Sequence, residues 1–207
     1  MLTLQDKPKL ESLADKQYLK KLAELPQRGR IELVMGPMFA GKSTELLKII
    51  NYYRILEKNL FIINHKLDNR YGTNSIISHD KKSFPSNNCL TLMENIQTDT
   101  YHTCDVIIIE EAQFFEDLKV FVELSLMNNK TIYVAGLDGD SFMKPFGQIL
   151  DLIPLCDSIK KLSALCVICK DGTPANFTKR IVENQEQKLI GSFESFIPVC
   201  RVHHKNT

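Results

Sequence analysis

Gly36-Pro37-Met38-Phe39-Ala40-Gly41-Lys42-Ser43 is the stretch that decides how this chain is read. It matches G-x-x-x-x-G-K-[ST], the phosphate-cradling P-loop. The glycines let the backbone curl so that several N–H groups point inward at phosphate oxygens. The helix that follows adds the positive end of its dipole. Lys42 supplies a mobile cation for the β- and γ-phosphates, and the Ser43 hydroxyl is placed to ligate Mg²⁺. The motif requires a strand before it and a helix after it. Ile31–Met35 reads as a buried strand. Ser43–Glu57 reads as a helix, with Leu46, Leu47, Ile50, Tyr53 and Leu56 spaced to face a core.

Outward from the loop, short apolar runs alternate with helical stretches. Leu60–Ile63 predicts the next strand, and Val106–Ile109 a strand covered on both faces. Phe115–Met127 is helix-like, Thr131–Ala135 predicts another strand, and Ile149–Cys156 a helical turn. A β-α-β-α order argues for an α/β fold: a mostly parallel, RecA-like P-loop sheet flanked by helices. Residues 29–162 are expected to form this nucleotide-binding domain. Residues 1–28 form a charged leader, in which Leu10, Leu13, Leu19 and Leu22 fall near helical spacing. The leader reads as a marginal surface helix, a partly disordered arm, or a docking helix for another subunit. Residues 163–207 have turn residues, few apolar runs and a concentration of metal-ligand types, and read as a small second module.

The strand Val106–Ile109 ends in Glu110-Glu111. In a parallel sheet, ligands bind at the carboxyl ends of strands, so both acids are expected near the loop mouth. One carboxylate suits Mg²⁺. The other suits a general base acting on an attacking hydroxyl.

The chain carries 26 Lys+Arg against 25 Asp+Glu, a net charge of +1, which argues against a nucleic-acid coat or a polybasic membrane binder. No apolar run approaches the ~20 residues of a membrane span. The charged N-terminus is no signal peptide, so a cytoplasmic location is expected. Six cysteines then need another account than a disulfide framework. Cys166-Val167-Ile168-Cys169 and Cys200-Arg201-Val202-His203 form a C-x-x-C and a C-x-x-H pair, four ligands for a closed tetrahedral zinc site. His204 is an adjacent alternative to His203. Such a site would staple the base of the long loop between Cys169 and Cys200, making that loop a lid able to exclude water. Cys89, Cys104 and Cys156 read as reduced thiols without a role.

Taken together, the residues from Arg30 to His204 resemble the thymidine kinases of the zinc-containing cellular type (type II). The matching stretches are Gly36–Leu46, Asp68–Tyr71, His79-Asp80, Glu111–Phe115, Gly136–Asp138, Lys144–Gly147, Phe177–Arg180 and Cys200-Arg201. The resemblance implies transfer of the γ-phosphoryl group of ATP to the 5′-hydroxyl of thymidine, for nucleotide salvage. It implies that Gly36, Pro37, Met38, Phe39, Ala40, Gly41, Lys42, Ser43 and Thr44 hold the phosphates. Glu111, Arg70 and Lys42 become the catalytic residues, and Ser43, Glu110 and Asp68 the groups around Mg²⁺. Met38, Phe114, Leu137, Phe146 and Thr178 fall at positions lining the nucleoside pocket, with Phe196 on the lid nearest the base. Structural Zn²⁺, a homotetramer, feedback inhibition by thymidine triphosphate and no nucleic-acid or membrane partner are implied as well. Three positions depart from the family's pattern: Glu110 replaces the usual Asp, Phe196 the usual Tyr, and Ser141 the usual Phe. Phe142 follows Ser141 and either takes over its stacking role through a local shift or leaves a looser pocket. Other expectations compete with this one. They are a kinase of wider nucleoside scope, a nucleic-acid-stimulated ATPase with a zinc ribbon, and a nucleotide-binding homologue without activity.

Overall fold

A computed structural model describes residues 29–67, 75–77, 83–183 and 194–205. The leader, Asp68, Arg70 and the middle of the loop between Cys169 and Cys200 lie outside the described residues. In chain order the strands are β1 (Arg30–Met35), β2 (Leu60–His65), β3 (Ser75–Ile77), β4 (Ser83–Pro85), β5 (Asn87–Cys89), β6 (Val106–Ile109), β7 (Thr131–Gly136), β8 (Ser158–Lys161), β9 (Ala164–Leu165), β10 (Pro174–Ala175), β11 (Phe177–Arg180) and β12 (Phe196–Val199). The α-helices are α1 (Lys42–Ile55), α2 (Asp99–Thr103), α3 (Leu118–Met127) and α4 (Arg201–Lys205).

Six strands form one sheet in the order β5-β2-β6-β7-β1-β8. Every pair in it is parallel. The expected α/β sheet is therefore present, and a single strand, β7, separates β1 from β6. Side chains alternate across the sheet as the period of two requires. Ile31, Leu33, Met35, Phe61, Ile63, Ile107, Ile109, Ile132 and Val134 face one layer, packed with Phe115, Leu118, Phe121 and Val122. Val34, Ile62, Val106, Ile108, Tyr133 and Ala135 face the other, packed with Leu46, Leu47 and Ile50 of α1. A strand sealed on both faces needs no polar residue, which is why β6 is four consecutive Val and Ile residues, all buried.

The expected helix at Phe115–Met127 is present as α3, which begins at Leu118, and a separate 3₁₀ turn, Ala112–Phe114, precedes it. Between the two, Phe115 takes extended backbone. Two edge strands, β5 and β8, are too short or too polar to show in the hydrophobic pattern. All four residues of β8 are exposed.

Beyond Leu162 the chain builds two small antiparallel pairs, β9 with β10 and β11 with β12. Their shared cluster, Ala164, Cys166, Ala175, Val199 and Cys200, also packs against Phe39 and Ala40 of the glycine loop. Among the described residues, no helix is long and apolar enough to cross a membrane.

Candidate active site and metal centre

The glycine loop leaves β1 at Met35 and enters α1 at Lys42. Gly41 holds φ +85°, a left-handed conformation that Gly adopts without strain, and no side chain caps the helix there. The first N–H groups of α1 are thus left to whatever anion sits in front of them. Gly36 is constrained by space: a Cβ on it would lie 2.5 Å from the Leu162 carbonyl oxygen. Lys42 Nζ donates to the carbonyl oxygens of Gly36 and Pro37 at 3.2 and 2.9 Å. The ammonium is therefore already folded over the loop it is expected to serve.

Thr178 ties this loop to the C-terminal module. Its Oγ1 accepts the Met38 N–H at 3.0 Å, across 140 residues of sequence, and Thr178 is 4% exposed. Nothing in the sequence signals that bond, because the hydroxyl's partner is a backbone N–H.

Glu110 is 5% exposed at the end of β6, with its backbone N–H held by the Ile63 carbonyl at 2.9 Å. Glu111 follows in the left-handed region at φ 52°. A non-glycine residue persists there only where its surroundings hold it. Its carboxylate Oε2 accepts from Gln113 Nε2, and Gln113 Oε1 accepts from the Leu137 N–H at 3.0 Å. Two adjacent carboxylates thus take different environments, one buried at the strand end and one turned out by the backbone and tethered.

Met38, Phe114, Leu137, Phe146 and Phe196 form one buried cluster, with Phe39 against it. All were singled out in the sequence, yet they come from five separate segments. Phe114 meets Phe146 edge to face at 5.6 Å, and the His65 ring centroid lies 5.5 Å from that of Phe114. Arg180 sits 5.3 Å over Phe196. The cluster is apolar and aromatic, a composition suited to a flat heterocycle. Phe142 does not join it. Asp140 Oδ1 accepts the backbone N–H groups of both Phe142 and Lys144 at 2.9 Å, closing a tight loop. That loop leaves Phe142 48% exposed, with the Arg180 guanidinium 5.7 Å from its ring. The expectation that Phe142 lines the pocket by a local shift therefore has no support in this geometry.

Cys166, Cys169, Cys200 and His203 converge, their ligand atoms all within 4.8 Å of one another. His203 Nδ1 lies 3.5, 3.3 and 3.4 Å from the sulfurs of Cys166, Cys169 and Cys200, and the Cys169 and Cys200 sulfurs are 3.8 Å apart. Tetrahedral zinc with Zn–S about 2.3 Å and Zn–N about 2.0 Å sets such edges near ~3.8 and ~3.5 Å. The donor set and its spacing fit zinc. Burial opposes ionisation of Cys166, but N–H groups of Cys169, Cys200 and Ile168, together with His203, outweigh it and bring the thiol down to about 6. Burial and the neighbouring Cys166 hold Cys169 up at about 11. His204 faces away. Its Nε2 lies 3.0 Å from the Ser141 carbonyl oxygen and its ring stacks edge-on to Phe177, so His203 supplies the nitrogen.

A thymidine kinase family model matches residues 29–204. The thymidine kinase of Oryza sativa subsp. japonica is 41% identical over 184 residues, spanning 85% of this chain and 66% of the rice protein. That of Yaba monkey tumor virus is 40% identical over 174 residues, 84% of this chain and 93% of the viral one. Thymidine kinase 1 of Dictyostelium discoideum is 37% identical over 177 residues, 84% and 76% of the two chains. Domain III of the Thermotoga maritima replication initiation protein DnaA aligns with 72% of this chain and 61% of that one at 16% identity and a TM-score of 0.40, too loose to bear on function.

Proposed function

The chain belongs to the thymidine kinase family, and from that premise we propose that it transfers the γ-phosphoryl group of ATP to the 5′-hydroxyl of thymidine. The observation that carries this reading is the apolar cluster of Met38, Phe114, Leu137, Phe146 and Phe196. One of its members, Met38, belongs to the glycine loop itself, and another, Phe114, stands three residues after Glu111. A flat base against that wall has its sugar directed at the loop and the acid.

The loop amides and the first turn of α1 hold the phosphates, and Lys42 moves from the loop carbonyls onto the incoming charge. Glu111 takes the proton of the 5′-hydroxyl. The sugar oxygen bonds to the γ-phosphorus, the bond to the β,γ-bridging oxygen breaks, and ADP leaves with that electron pair. Arg70 is the further cation on the transferring group. Ser43, Glu110 and Asp68 are the oxygen donors that would hold Mg²⁺, which screens phosphate charge when bound. Zinc on Cys166, Cys169, Cys200 and His203 would fix the base of the lid. Residues 29–162 act as the nucleotide-binding domain and residues 163–207 as the lid. The same family membership is the ground for proposing a cytoplasmic homotetramer inhibited by thymidine triphosphate.

A second reading, a kinase of wider nucleoside scope, is favoured by the exposure of Phe142 at the place where the family's stacking residue is replaced by Ser141. Phosphorylation of each deoxynucleoside by Mg-ATP tests both. Thymidine monophosphate is the expected product, and its absence from folded, zinc-loaded protein overturns the first reading. Equal kcat/KM for thymidine and deoxyuridine selects the second. Glu111→Gln is expected to keep ATP binding and lose about 10²–10⁴-fold in phosphoryl transfer; unchanged transfer removes Glu111 from the role of base.

A further inference from the structure

We propose that Gln113 is a positioning residue that fixes the Glu111 carboxylate and links it to the wall that holds the base. This rests on the reading of Glu111 as the base. Gln113 is 1% exposed, so each of its amide groups needs a partner within the protein. The backbone N–H of Leu137 can only donate, so the side-chain atom 3.0 Å away must be the amide oxygen. The amide nitrogen is then turned to Glu111 Oε2. The orientation is set by chemistry and leaves no alternative flip.

Space around the amide is equally specific. A Cβ on Gly136, at the end of β7, would lie 2.6 Å from Gln113 Oε1. A Cβ on Gly147, held at φ +61°, would lie 2.2 Å from the Gln113 carbonyl oxygen. Two separate segments of chain therefore carry no side chain where Gln113 passes. Its backbone is fixed as well, because it lies in the 3₁₀ turn whose bond from the Phe114 N–H to the Glu111 carbonyl is 3.1 Å.

Gln113 thus holds the Glu111 carboxylate by Oε2. The other end of the same amide holds the backbone of Leu137, whose side chain is part of the base-binding cluster. A shift of the base wall is therefore transmitted to the catalytic carboxylate through one rigid group.

The test is the single-turnover rate of thymidine phosphorylation at saturating substrates, set beside the KM for ATP, in two variants. Gln113→Glu keeps the shape and the acceptor for Leu137 but turns a donor into a like charge facing Glu111. Gln113→Met keeps the volume and removes both bonds. The rate is expected to fall about ten- to hundredfold in Gln113→Met and at least as far in Gln113→Glu, while the KM for ATP does not change. A wild-type rate in Gln113→Met, or a KM for ATP that rises as the rate falls, overturns the proposal. If Gln113→Met does not fold, a wild-type rate in Gln113→Glu does so alone. Glu111→Gln with a wild-type rate overturns the underlying reading instead, whatever the Gln113 variants show.

Discussion

In the sheet, Leu33, Ile107, Ile109 and Val134 are fully buried between layers of aliphatic and aromatic side chains. In the module beyond Leu162, the corresponding interior is Ala164, Cys166, Ala175, Val199 and Cys200, so two of its five residues are the proposed metal ligands. Small antiparallel pairs of two to four residues cannot bury enough apolar area to fix themselves. A tetrahedral metal on Cys166, Cys169, Cys200 and His203 would supply the missing cohesion, and the glycine loop supplies a floor through Phe39 and Ala40. The core is thus positioned by many interchangeable contacts, and the C-terminal module by a few that are not interchangeable.

That difference is sharpest at the ligands. Cys200→Ser is expected to abolish stoichiometric zinc, whose binding energy is folding energy for so small a module, and to raise the thymidine KM by about a hundredfold or more. The far-UV signal and ATP binding of the sheet should remain. Loss of the whole fold would show that the lid and the core are one cooperative unit. Unchanged zinc and kinetics would remove the metal from the account.

The converse change acts on the core. Leu33 on β1 is fully buried in the layer against α3. Leu33→Ala is expected to cost about 2–5 kcal/mol of unfolding free energy and to lower Tm by roughly 5–15 °C, as measured by calorimetry. Zinc content at 25 °C should stay at wild type. A loss of zinc in parallel with Tm would mean the module has no stability of its own to lose separately.

How much of this could be read from sequence follows the same division. The strand–loop–helix unit and the strand ending in Glu110-Glu111 were legible because periodicity, glycine and charge each point the same way. The ligands were legible by type and spacing, but His203 and His204 were not separable until their rings were placed. Only geometry shows Nδ1 of His203 among the sulfurs and Nε2 of His204 at Ser141. The exposed position of Phe142 was not legible, because the two N–H bonds to Asp140 set its loop, and nothing in the residue types favours that closure over an inward turn. Gln113 stood in a matching stretch without a role, since its partners lie on other elements or out of helical register. Asp68 and Arg70 lie outside the described residues.

Between the two regions, a smaller effect is expected at Thr178. Removing its hydroxyl leaves the buried Met38 N–H without its acceptor, at a cost of about 1–3 kcal/mol. Thr178→Val keeps the β-branched shape of a strand residue. The thymidine KM should rise roughly five- to hundredfold, with the KM for ATP and zinc content unchanged. If both KM values rise together, the bond supports the glycine loop alone and does not couple it to the lid.

The least effect belongs to the ionic contacts on the strand from which the chain enters the module. Lys160 Nζ on β8 donates to Glu45 Oε1 at 2.7 Å, and Lys161 pairs with Asp138 at 2.7 Å. Both lysine side chains are more than half exposed, at 54% and 56%. The hydrogen bond from Lys160 lowers the Glu45 pKa, with partial burial opposing it and the charges of Lys160 and Lys48 adding to it. A carboxyl whose folded pKa is depressed contributes stability above its unfolded value and loses it as pH falls through the folded one. Lys160→Ala is therefore expected to reduce stability at pH 7 by less than about 1 kcal/mol. The difference should shrink in ~1 M salt and disappear in acid once Glu45 is protonated in both states. Denaturant unfolding of the two proteins across pH measures it. A larger loss that persists in acid would mean that Lys160 acts by packing its stem on α1, and that the junction with the lid is held in the same way as the core.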